Sequence, residues 1–110
     1  MIYKVRLTNA AKRDLINATE YIECVLLNPQ AADDLVNETE TKLSELAYFP
    51  EKYAIVDDDV LKVWGIRYVS VGNYLIIYFL SEQENTVQII RFLYKKRNWI
   101  SIIKEGFSLE

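Results

Sequence analysis

Two arginines, one tyrosine and a short basic run are the residues of this 110-residue chain best suited to chemistry. Arg67 interrupts Ile66, Tyr68 and Val69, and Arg91 lies inside the apolar stretch Val87-Gln88-Ile89-Ile90-Arg91-Phe92-Leu93. Tyr94-Lys95-Lys96-Arg97-Asn98-Trp99 follows at once. Read with a period of two, Arg91 shares its face with Val87, Ile89 and Leu93, so its charge needs a partner, an anion or a cleft. A guanidinium offers two parallel donors in a planar fork, the shape that a phosphate accepts. The cluster therefore suits a phosphodiester, with Lys95, Lys96 and Arg97 as nucleic-acid contacts. The alternative for each arginine is a carboxylate at the edge of the core, and for the basic run a solvated corner. Trp99 reads as a plug for the last helix rather than a base-stacking platform.

Much other chemistry is excluded. The chain has no histidine and a single cysteine, so no His-based triad and no Cys/His metal site can form. Cys24 has no partner for a disulfide, and its apolar neighbours predict a buried or half-buried thiol. Three ungrouped glycines leave no phosphate-cradling loop or dinucleotide fingerprint. Asp57-Asp58-Asp59 lacks the alternating ligands of a calcium loop and reads as solvated. No metal and no cofactor is expected. The longest aliphatic and aromatic run, Tyr74 to Leu80, is too short to span a bilayer, and MIYKVRLTNA does not read as a signal peptide. A cytoplasmic protein is the expectation.

Charge is unevenly placed. Residues 1–60 hold six Lys/Arg against twelve Asp/Glu, a balance of −6. Residues 61–110 hold seven against four, a balance of +3. An acidic body carrying a basic functional edge is one reading, and helices bearing more surface acids than strands is the other.

The elements that must position these residues follow from periodicity. Ile2 to Leu7 alternates like a strand. Thr8 or Asn9 caps a helix whose stripe is Ala11, Leu15, Ala18, Ile22 and Val25. Asn28-Pro29 opens a second helix with the stripe Ala32, Leu35, Val36, Thr39, Leu43 and Leu46, ended by Pro50. Glu51 to Val63 reads as a loop. Strands are predicted at 65–71, 74–80 and 86–94, joined through Gly72-Asn73 and Ser81 to Asn85, then a short helix over 98–104. The order β-α-α-β-β-β-α predicts one α+β domain over 1–110, an antiparallel sheet covered by a helical hairpin. Leu109-Glu110 reads as a tag remnant.

These residues in this order resemble the RelE/ParE toxin superfamily. The likeness rests on Gly65-Ile66-Arg67, on Val71-Gly72-Asn73-Tyr74-Leu75-Ile76-Ile77-Tyr78 and on Val87 through Trp99. Leu7-Thr8, Asp14-Leu15, Tyr21-Ile22, Asn28-Pro29, Ala31-Ala32, Leu46 and Pro50 agree in the first half. The resemblance implies a microbial-ribonuclease-like fold and the toxin of a type II toxin–antitoxin pair, of the kind linked to plasmid stabilization and neutralised by a small antitoxin. RelE-like members cut mRNA on the ribosome without a metal, as endoribonucleases called mRNA interferases, and ParE-like members poison DNA gyrase. In the cutting members basic and tyrosine side chains on the concave sheet face do the work. Arg67, Arg91 and Tyr94 match those positions as catalytic candidates. The leading expectation is ribosome-dependent mRNA cleavage; the alternatives are gyrase inhibition and a member that only binds antitoxin, with a homodimer left open. Leu75 stands where cutting relatives generally carry arginine, and Tyr94 where many carry histidine.

Overall fold

The computed structural model describes residues 2–110. Strand β1 (Lys4–Leu7) leads through Thr8 into helix α1 (Asn9–Glu20), whose end widens into a π-helical turn, Tyr21–Val25. Helix α2 (Pro29–Tyr48) returns beside it. Helix α3 (Asp59–Val63), strands β2 (Arg67–Val71), β3 (Tyr74–Ser81) and β4 (Thr86–Tyr94), and helix α4 (Trp99–Lys104) complete the chain. The sheet order is β1-β4-β3-β2. The meander β2-β3-β4 is antiparallel, and β1 joins it parallel to β4.

Local chemistry sets the ends of these elements. Thr8 Oγ1 accepts the Ala11 N–H at 3.0 Å and Asn28 Oδ1 accepts that of Ala31 at 3.1 Å, so both hairpin helices begin on a side-chain cap. Gly72 supplies the positive φ, +56°, that the two-residue β2–β3 turn requires. The segment expected to be loop throughout contains α3. Its cap is Asp58, whose carboxylate accepts from the Val60 and Leu61 amides at 3.1 and 3.3 Å. Five residues are too few to show a helical period, so the acidic run masked the cap.

Both faces of the sheet are covered. On one face Val69, Ile76, Tyr78, Val87, Ile89 and Phe92 pack with Ala11, Ala18, Leu35 and Leu46 of the α1–α2 hairpin. On the other, Leu75, Ile77, Ile90 and Leu93 pack with Leu61 of α3 and Ile103 of α4. Double burial explains why β3 and β4 read as continuous apolar runs rather than alternating ones. The hairpin outreaches the sheet, so Val25, Leu26 and Leu27 at its tip are exposed. Cys24, expected buried or half-buried, is exposed there too, because the core no longer lies beneath that turn.

A small clasp joins the two short helices. Lys104 of α4 lies 2.8 Å from the Asp58 carboxylate. Lys104 holds the Asp58 pKa below the ordinary carboxylate value; burial opposes it less strongly, and the Leu61 and Val60 amides lower it a little further. A folded pKa below the unfolded one stabilises the fold above the unfolded value, and that contribution is lost as pH falls through the folded value. Asp58→Ala should therefore melt below the parent at pH 7, and the gap should narrow as pH falls to about 2, below the ordinary carboxylate value. Melting curves at the two pH values check this; an unchanged gap at the lower pH would mean the charge plays no part.

Candidate functional site

The sheet carries its candidate residues where two irregularities put them. The first is a β-bulge in β4. Ile77 pairs with Arg91 but Tyr78 pairs with Ile89, so Ile90 is an extra residue. Before the bulge Val87 and Ile89 face the hairpin; after it Phe92 does, while Ile90 and Leu93 turn to the α3–α4 face. One inserted residue shifts the alternation, so Arg91 parts from Val87 and Ile89, with which strict alternation groups it, and keeps only Leu93 in its row. The same shift brings Tyr94 to the hairpin side, edge-on to Tyr74 at 5.6 Å between ring centroids.

The second irregularity is the early end of β1. Its pairing with β4 stops at Leu7 opposite Ile89, and Thr8 then hooks the bulge, its N–H on the Ile89 carbonyl and its hydroxyl on that of Ile90. Beyond that point β4 has no strand neighbour on this edge. Asp14 of α1 takes its place. One carboxylate oxygen accepts the Phe92 N–H at 3.1 Å and Arg91 Nε at 2.6 Å, and the other accepts Arg91 Nη2 at 2.9 Å. The side chains are only 25% and 13% exposed for Arg91 and Asp14. This two-pronged bond raises the Arg91 pKa above its ordinary value. The guanidinium fork is occupied by a carboxylate from within the fold.

Arg67 is also engaged internally. Its guanidinium donates to the backbone carbonyl of Tyr53 and, at 3.5 Å, to that of Glu51. Its register partner Tyr78 donates its hydroxyl to the Pro50 carbonyl at 2.7 Å. The two side chains together pin the segment leaving α2. Arg67 sits opposite Tyr78, whereas Tyr94 sits opposite Tyr74, four residues along β3. At the strand rise that is about 13 Å along the sheet.

Tyr94 is 37% exposed, and Lys95, Lys96 and Arg97 follow it as an exposed corner. The Lys95 N–H is held by the Asn73 carbonyl and its ammonium approaches that of Gly72 at 3.5 Å, so the corner docks on the β2–β3 turn. Trp99 packs edge-on against Tyr68 at 5.3 Å, as a plug under α4. Leu75 is buried on the α3–α4 face. Sequence reasoning did not find the pocket beside this corner, of about 760 Å³, between the hairpin tip and the ends of β3 and β4. Tyr21, Tyr74, Tyr94 and Arg97 line it. They come from three separate stretches, and only the aromatic content of each hinted at the site. Burial raises the Tyr74 pKa above the ordinary phenol value, and the neighbouring Tyr94 and Tyr21 phenols add to the shift. Among the described residues no group of three or more His, Cys, Asp or Glu is placed to hold a metal ion. No helix among them is long and apolar enough to cross a membrane.

Comparison with known proteins places this architecture. The toxin–antitoxin complex RelBE2 from Mycobacterium tuberculosis contains a chain with a TM-score of 0.60 and 23% identity, covering 86% of this chain and 99% of that one. The chromosomal ParDE system from P. aeruginosa gives a TM-score of 0.67 at 18% identity, covering 84% of this chain and 96% of that one. At such identities the likeness is one of fold. No curated protein sequence matches. The family described as ParE toxin of type II toxin-antitoxin system, parDE, matches residues 5–99, nearly the whole span from β1 to the start of α4. The chain therefore belongs to the ParE toxin family, within the RelE/ParE toxin superfamily.

Proposed function

We propose that this toxin stops growth by binding a protein target, DNA gyrase, and not by cutting mRNA, and that a small antitoxin neutralises it. The observation that carries the reading is the state of the two arginines. Arg91 is bound on both prongs by Asp14, and Arg67 by the carbonyls of Tyr53 and Glu51. Attack by a ribose 2′-OH on a phosphate needs a proton acceptor, a proton donor and charge stabilisation focused on one phosphorus. Here the three candidates Arg67, Arg91 and Tyr94 do not converge. Leu75, at a position where cutting members of the superfamily generally carry arginine, is buried beneath α3 and α4. The match to the ParE family favours the same target class. The toxin–antitoxin complexes among the structural neighbours support a partner of the antitoxin kind.

Two assays run side by side test this. Purified toxin added to translating ribosomes should leave every transcript intact in primer extension, and added to gyrase it should inhibit supercoiling. Cut message that disappears with Tyr94→Phe would overturn the proposal in favour of an mRNA interferase using Arg67, Arg91 and Tyr94.

A further inference from the structure

The tip of the helical hairpin carries apolar side chains with no core beneath them. Tyr21, Val25, Leu26 and Leu27 are each more than half exposed. Soluble monomers scatter such side chains singly, and four gathered at one tip mark a contact surface. The backbone adds a second sign. Leu27 sits at φ +53°, in the left-handed region where a helix end ordinarily carries Gly or Asn. A leucine there has a steric cost that glycine avoids. Within one copy no packing offsets that cost, because Leu27 is 78% exposed.

The surface that fits this tip lies on the same chain. The pocket of about 760 Å³ has Ile22 on the hairpin side and Tyr74, Phe92 and Leu93 on the sheet side, with room for the side chains of a turn. Charge follows the same division. Glu20 and Glu23 stand exposed on the tip, and Lys95, Lys96 and Arg97 stand exposed on the far bank. Among the described residues no ion pair spans the pocket. The tip cannot fill the pocket of its own chain, because Tyr21, Ile22 and Leu26 already form one wall of it. A second copy meets no such limit. We propose that two copies of this chain pair about a two-fold axis, each seating Val25 and Leu27 in the pocket of the other. A protruding acidic tip then meets a concave apolar surface with a basic rim, and the symmetry makes the contact twice. Both complementary halves are present on one chain, and that names a second copy as the occupant. Cys24, exposed between the seated residues, becomes shielded in the pair. This surface stands apart from the choice of toxic target.

The test is analytical ultracentrifugation of the full chain from about 1 μM to 1 mM, with Cys24 thiol reactivity measured on the same samples. The expected result is a monomer–dimer equilibrium in which Cys24 slows toward a thiol reagent as the dimer forms. Leu27→Gly removes the side chain and suits the left-handed backbone, so it should weaken the pair about tenfold or more without lowering the melting temperature. Two charge reversals on exposed residues complete the set. Glu20→Lys/Glu23→Lys reverses the tip, and Lys96→Glu/Arg97→Glu reverses the rim. Each alone should weaken pairing at least tenfold, since like charges then face each other. An equimolar mixture of the two should pair again, because each tip then opposes a rim of the other sign. A chain that stays monomeric up to about 1 mM overturns the proposal. So does a dimer that Leu27→Gly and both reversals leave unchanged, or one in which Cys24 reacts at the monomer rate. A mixture that fails to pair overturns it as well. A tip shielded only when an antitoxin or gyrase is added, with the chain alone monomeric, gives the surface to that partner and sinks the idea.

Discussion

Asp14→Ala is expected to destabilise the fold by about 3 kcal/mol, the low end for breaking a buried pair by removing one partner. Two groups lose their acceptor at once: the Arg91 guanidinium and the Phe92 N–H. Some solvent reaches both side chains, which is why the upper end of the range does not apply. In a domain of this size the melting temperature should fall by roughly 10–20 °C. Asp14→Asn, which keeps one acceptor for the amide, should lose less. The double replacement Asp14→Leu/Arg91→Leu should recover to within about 1 kcal/mol of the parent, because two apolar side chains leave no stranded charge. Thermal melts of the parent, Asp14→Leu, Arg91→Leu and the double replacement give the coupling energy as a double-mutant cycle, and melts of Asp14→Ala and Asp14→Asn check the two single losses. If Asp14→Ala melts with the parent, Arg91 does not depend on Asp14, and its guanidinium is free for a phosphate after all.

Tyr78→Ala should cost more, about 4 kcal/mol, as loss of a fully buried aromatic side chain does. Tyr78 fills the hairpin-side core and its hydroxyl holds the Pro50 carbonyl where α2 gives way to the segment leading to α3. Tyr78→Phe separates the two roles. It keeps the ring and strands the carbonyl, for roughly 1.5 kcal/mol. Burial raises the phenol pKa to about 12, with Arg67 opposing that shift and Tyr53 adding to it. An acid whose folded pKa lies above its unfolded value stabilises fully below the unfolded pKa, near 10, and the contribution is lost as pH rises through the folded one. The parent should thus lose stability relative to Tyr78→Phe between about pH 10 and 12. Denaturant titrations across that range check both claims. A Phe variant as unstable as the Ala variant would mean that the hydroxyl, not the ring, carries the site.

The local elements were legible because each has a local cause. Thr8 and Asn28 cap helices where side-chain oxygens meet free amides, Pro29 fixes a first turn, and Gly72 permits a left-handed turn. Strand content over 65–94 shows in β-branched and aromatic residues whatever their partners are. The superfamily was legible for the same reason, since its pattern is a series of such signals in order. The parallel docking of β1 on β4 was not, because alternation within a strand does not name its neighbour. Nor was α3, which is shorter than two helical turns.

For the candidate site the division is sharper. Composition and spacing alone marked Arg67, Arg91, Tyr94 and the run Lys95-Lys96-Arg97 as the residues to watch. What each can do depended on contacts between residues far apart in the chain. Asp14 and Arg91 are separated by 77 positions, and nothing in either neighbourhood specifies that they meet. A single extra residue at Ile90 turns Tyr94 toward the hairpin and sets Arg91 at the open edge beyond β1. A charge that reads as available in an apolar strand becomes internal once a helix fills that edge. Sequence thus determined which charges and rings the protein carries, and the tertiary structure decided which remain unspent, because desolvation makes an arginine take the nearest acceptor that packing brings within reach.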